Sequence, residues 1–126
     1  MIVNDPQTLA EVEAEFAKYE TALVTNDVAT LDSLFWDDPR TIRYGMTENL
    51  YGYAEIAAFR SARSPAGLAR TISRTVVTTF GSDFATASTL FQREGMKPGA
   101  GRQMQTWARI DGRWRIVAAH VSFIKE

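Results

Sequence analysis

Apolar positions divide the chain into two halves with different periods. From Pro6, the residues Leu9, Val12, Phe16, Tyr19 and Leu23 recur at steps of three and four. That is one continuous stripe on a helix. Asp5 supplies an N-cap and Pro6 suits the first helical position. Asn26-Asp27 interrupts the pattern, and Asp27 can cap a second, shorter helix carrying Val28, Leu31, Leu34 and Phe35. Asp37-Asp38-Pro39 reads as a turn. A short strand around Ile42 and Arg43 follows. The pattern predicts a third helix after Gly52, with Tyr53, Ile56, Phe59 and Arg63, closed by Ser64-Pro65-Ala66-Gly67.

The second half alternates instead. Thr71 to Phe80, Phe84 to Phe91, Gln103 to Ile110 and Trp114 to Phe123 read as strands. Gly81-Ser82-Asp83 joins the first two, and Asp111-Gly112 is a strong two-residue hairpin signal between the last two. Consecutive hairpins predict an antiparallel sheet. Lys97 to Arg102 (KPGAGR) contains a Gly-x-Gly, but it lies between strands and opens no helix, so it reads as a loop rather than a phosphate cradle. The whole is one α+β domain over residues 1–126, with three N-terminal helices packed on a curved, mainly antiparallel sheet. Along the last strand, strict alternation puts Trp114, Ile116, Ala118 and His120 on one face and Val117, Ala119, Val121 and Phe123 on the other. Both faces are apolar, so one is expected to meet the helices and the other a second copy of the chain.

Composition removes whole classes of function. The 126 residues carry 14 basic and 15 acidic side chains, a net charge of -1, with no basic run. Nothing there suits a nucleic-acid backbone. Cysteine is absent and there is one histidine, His120, which excludes thiolate catalysis, disulfides and multi-histidine metal sites. A carboxylate-rich metal site stays conceivable, though no metal or organic cofactor is expected. No apolar run approaches a membrane span and the N-terminus does not resemble a signal peptide, so the expected setting is cytoplasmic.

The remaining candidates are few. Tyr19 lies on the first helix's apolar stripe, either as a core ring or as a hydroxyl reaching a cavity. Arg43 opposes Ile42 by alternation; it is a surface charge, or a planar fork that clamps a carboxylate. Arg63 follows Ile56 and Phe59 on one helix face. It either snorkels at the helix end or lines the same cavity as a second cation; Arg60 competes with it for the inward position. His120, Gln105, Trp107 and Ser88 are candidates for the inner sheet face, and no Gly-x-Ser-x-Gly elbow supports a serine triad.

These elements together resemble a known family. The helices followed by a curved sheet ending in WRIVAAHVSF resemble the NTF2-like (SnoaL-like, cystatin-like) superfamily, through Trp114, Ile116, Val117, His120 and Ser122. The blocks YETALVTND, LFW, TIRYGMTENLYG, IAAFRSAR and QTWARIDGRWRIVAAHVS are similar to its AtzH-like branch. The resemblance implies a cone open between helices and sheet, and a dimer through sheet faces. It also implies a role in cyanuric acid catabolism, where a small member of the branch converts dicarboxyurea to allophanate. A tyrosine of the first helix and an arginine of the first strand are that member's proposed key residues, and they match Tyr19 and Arg43. The expected site is therefore catalytic Tyr19 and Arg43, with Trp36, Phe59, Arg63, Gln105, Trp107 and His120 binding a small anionic substrate. Two other readings stand beside it. A non-catalytic binding or association module would have a cone filled by aromatic rings and Arg43 neutralised by an internal acid such as Glu48. An isomerase or cyclase would carry a carboxylate base on the pocket wall.

Overall fold

Helix α1 (Pro6–Val24) begins where the sequence places its cap: the Asp5 carboxylate accepts from the Thr8 backbone N–H. Its stripe of Val12, Phe16, Tyr19 and Leu23 is buried. Helix α2 (Val28–Leu34) is capped by Asp27, whose carboxylate accepts from the Thr30 N–H. The computed structural model describes residues 1–125. Strands β1 (Ile42–Tyr44) and β2 (Asn49–Tyr51) then form a hairpin, so the third helix, α3 (Tyr53–Ala62), follows two strands rather than directly following α2. Gly52 precedes α3 at φ 89°, in the left-handed region that glycine enters at little cost. Strands β3 (Thr71–Phe80), β4 (Phe84–Gln92), β5 (Gly101–Ile110) and β6 (Arg113–Phe123) complete the chain.

The six strands lie in the order β2-β1-β6-β5-β4-β3. All neighbours are antiparallel except β1 and β6, which run parallel. That single parallel pair inserts β1 beside the last strand and carries Arg43 into the sheet, opposite Ala119. Asp111 and Gly112 both have positive φ, 52° and 76°, as a two-residue turn matching the sheet's twist requires. Strand β2 has no counterpart in the expected strands. Its three residues are too short to show a period.

Two bulges bend the sheet around the helices. In β3 the register slips between Ser73 and Val76, where Arg74 sits at φ 50°. In β6, Trp107 pairs with Ile116 while Thr106 pairs with Ala118, leaving Val117 as an extra residue. A bulge of this kind reverses the facing of everything beyond it. Trp114 and Ile116 point into the core, but so do Ala119 and Val121, while His120 is exposed. The strict alternation read along β6 therefore fails past Val117, and His120 moves from the expected inner face to the outer one. There its ring meets Tyr44 edge-on at 6.0 Å between centroids.

The core lies between α1, α2 and the inner sheet face, built on Val12, Phe16, Leu31, Leu34, Phe35, Ile56, Trp107 and Ile116. Toward the open end the inner face turns polar. Arg43, Ala119, Gln105 and Ala87 form one row across β1, β6, β5 and β4, and Val121, Gln103 and Thr89 form the next.

Candidate functional site

The site starts from the β1–β2 hairpin. Arg43 is buried, and its Nη1 donates to Glu48 Oε1 at 2.9 Å. The Glu48 carboxylate also accepts from the Thr47 hydroxyl at 2.6 Å and the Thr47 N–H at 3.2 Å. Burial pushes this carboxyl up, yet the Thr47 and Arg43 hydrogen bonds outweigh it and hold it below its ordinary 4.5. Gly45 makes this arrangement possible. A Cβ there would stand 1.7 Å from Glu48 Oε1 and 3.0 Å from Arg43 Nη1. Glu48 takes one nitrogen of the Arg43 fork, and the guanidinium lies 5.5 Å from the Phe59 ring centre on α3.

Around this pair opens a cavity of about 220 Å³, walled by Arg43, Glu48, Phe59, Arg63, Arg93 and Val121 among others. Arg63 is the C-cap residue of α3, and Arg93 directly follows β4. Burial lowers both guanidiniums from their ordinary value, and Arg43 adds same-sign repulsion to each. The charge of Arg70 also weighs on Arg93. Three guanidiniums thus share the cavity with one carboxylate. Arginine stays protonated in such surroundings, so the wall carries a net positive charge.

Tyr19 does not line this cavity but lies near two of its arginines. Its ring packs on Phe35 at 6.4 Å, and its oxygen lies within electrostatic reach of both Arg63 and Arg93. No hydrogen bond among the described residues engages its hydroxyl. Arg70 is buried, with its side chain 1% exposed. It donates to both Glu20 oxygens at 2.9 and 2.7 Å and to Gln103 Oε1 at 2.9 Å. Phe91 supports Arg70 and Arg93 at 4.8 and 5.4 Å, in the space left by Gly101, where a Cβ would meet the Phe91 ring at 2.6 Å.

The expected residues divide accordingly. Arg43, Phe59 and Arg63 meet at one cavity, with Tyr19 close by. Arg60 is turned away: it pairs with Asp32 at 2.5 Å and covers Phe35. Gln105 is buried two strands from Arg43, its Nε2 without a partner. Trp107 is fully buried core, donating from Nε1 to Gln105 Oε1 at 3.1 Å, and does not line the cavity. Trp36 is held elsewhere, half-buried under Arg40 at 4.9 Å. His120 lies on the opposite sheet face, because of the bulge at Val117. Arg93 is the residue that pattern reading missed. Its signal was the period of two from buried Phe91, which carries the same face one pair past the strand end. Among the described residues, no group of His, Asp or Glu is placed to hold a metal ion.

A helix-backed, bulged sheet open at one end over a buried polar row is the NTF2-like, cystatin-like cone. An NTF2-like protein of unknown function from Pseudomonas putida KT2440 shares it with a TM-score of 0.78 at 16% identity, over 95% of this chain and 89% of that one. Within that fold the chain belongs to the AtzH-like family, whose model matches residues 1–126. A protein of unknown function of the DUF3225 family from Pectobacterium atrosepticum SCRI1043 is 56% identical, with a TM-score of 0.94, over 98% of this chain and 95% of that one. A cystatin-like fold protein from Burkholderia xenovorans LB400 is 49% identical, with a TM-score of 0.93, over 100% and 98%. No curated protein matches. Among the described residues no helix is long and apolar enough to cross a membrane.

Proposed function

We propose that this chain is a cofactor-independent enzyme acting on a small carboxylated urea, converting dicarboxyurea to allophanate with loss of carbon dioxide. The observation that carries it is a partly open cavity with more guanidiniums than carboxylates, near an unengaged tyrosine hydroxyl. The substrate class is taken from the resemblance to the AtzH-like branch, to which the family match lends support.

In this reading Arg43 holds a substrate carboxylate through the nitrogens that Glu48 leaves free. The bond between the departing carboxyl carbon and its nitrogen breaks, and the bonding pair moves onto nitrogen. Tyr19 gives its proton to that nitrogen, carbon dioxide leaves, and water returns a proton to Tyr19. Hydration of the carbon dioxide makes the net change a hydrolysis. While Tyr19 is deprotonated, Arg63 and Arg93 face its oxygen and stabilise it, more strongly because the site is partly dry.

The association-module reading draws support from the Arg43–Glu48 pair. It also requires a cone filled by rings, and Phe59 is the aromatic side chain on this cavity's wall. The isomerase reading needs a basic carboxylate. Glu48 is on the wall, but its depressed pKa makes it a weak base. A thermal-shift titration with small dicarboxylates tests the anion site. The wild type should be stabilised and Arg43→Ala should not; equal stabilisation of both removes Arg43 as the clamp.

A further inference from the structure

Each deeply buried arginine outside the cavity has its own acid. Arg60 has Asp32 and Arg70 has Glu20. Inside the cavity Arg43 has Glu48. Arg63 and Arg93 are half-buried and differ. Neither forms an ion pair among the described residues, and the Nε–H of each is shut from solvent with no acceptor. A charged donor buried without an acceptor is costly, and two on one wall repel as well. Their carriers converge from unrelated parts of the chain, the end of α3 and the end of β4. Phe91 fixes one of them from behind. The arrangement lacks an anion on that side of the cavity.

We infer that Arg63 and Arg93 form a second carboxylate subsite in the Arg43 cavity, and that this subsite makes the site select small dianions over monoanions. The inference rests on the anion-binding reading above and adds to it which residues hold the second charge. A monoanion on Arg43 leaves the Arg63–Arg93 side uncovered. A dianion of short span satisfies both sides at once. Removing either arginine breaks no ion pair among the described residues, so the fold should tolerate it.

The test is calorimetric titration of the wild type, Arg63→Met and Arg93→Met with malonate and succinate, against acetate and propionate. The wild type should bind its better diacid about tenfold or more tighter than either monoacid, the worth of one charge-assisted contact set. In Arg63→Met or Arg93→Met that preference should fall to about twofold or less, with cooperative thermal unfolding showing that each variant is folded. An unchanged preference in both variants overturns the second subsite, as does an equal loss of diacid and monoacid affinity. Failure of the underlying reading looks different: the wild type then binds neither class, or Arg43→Ala binds both as well as the wild type does.

Discussion

Arg43 is the residue on which the site turns, and its neighbours explain why it is tolerated in the sheet. Glu48 and the phenyl face of Phe59 hold it, and Gly45 provides the room. Gly45→Ala should therefore push Glu48 off Arg43 and lower the thermal midpoint, with diacid binding altered in the same variant; an unchanged midpoint and unchanged binding would remove Gly45 from the account. The ion pair also carries a pH signature. The folded Glu48 pKa lies below its ordinary 4.5, so its contribution is fully present above 4.5 and fades as pH falls through the folded value. The stability difference between wild type and Glu48→Gln should be largest near neutrality and shrink below pH 4.5. Denaturant melts across that range read it directly, and a difference independent of pH would contradict the assignment. Residue chemistry left Arg43 open between surface and pocket, and the family resemblance turned it inward; Glu48 was named only as the neutralising acid of the association-module reading. Arg93 was not, because it lies past the strand whose alternation would have flagged it.

At the scale of elements, the helices were readable because caps and stripes are local. Asp5, Asp27 and Gly52 mark the starts of α1, α2 and α3 as the sequence implies. The strands of the second half were readable from their residues and turns. Their facing was not, because one extra residue at Val117 inverts β6 beyond it and nothing local in RIVAAHVS announces the bulge. That inversion accounts for His120; Trp107 keeps the inner face but is buried in the core rather than on the cavity wall, and Trp36 packs under Arg40. The Arg70–Glu20–Gln103 network ties α1 to the sheet beneath the cavity. Arg70→Ala leaves Glu20 and the Gln103 carbonyl without their donor, and should destabilise the chain by about 3 kcal/mol, the scale of a broken buried pair. Urea unfolding checks this; a loss under about 0.5 kcal/mol, typical of an exposed pair, would mean the network is not structural.

For the whole molecule, the cone separates two surfaces. The inner one holds the cavity. On the outer one Val76, Ser88, Met104, His120 and Tyr44 form a row across β3, β4, β5, β6 and β1 without a charged side chain. Val76 and Met104 are more than half exposed. We propose that this row meets the same row of a second copy, as an isologous sheet-to-sheet contact would. Met104→Lys would set like charges together there. Light scattering should then show a dimer for the wild type and a monomer for the variant, and a wild-type monomer at all concentrations would end the proposal.

Turnover, rather than assembly, defines the proposed function. It is tested most directly by following ¹³C-labelled dicarboxyurea to allophanate and carbon dioxide, above the uncatalysed decay, with wild type, Tyr19→Phe and Arg43→Ala. The account predicts rapid conversion by the wild type, and loss of turnover in Tyr19→Phe with dicarboxylate binding retained. It predicts loss of both in Arg43→Ala. Conversion at the wild-type rate by Tyr19→Phe and Arg43→Ala, or no conversion by the wild type above background, would contradict it.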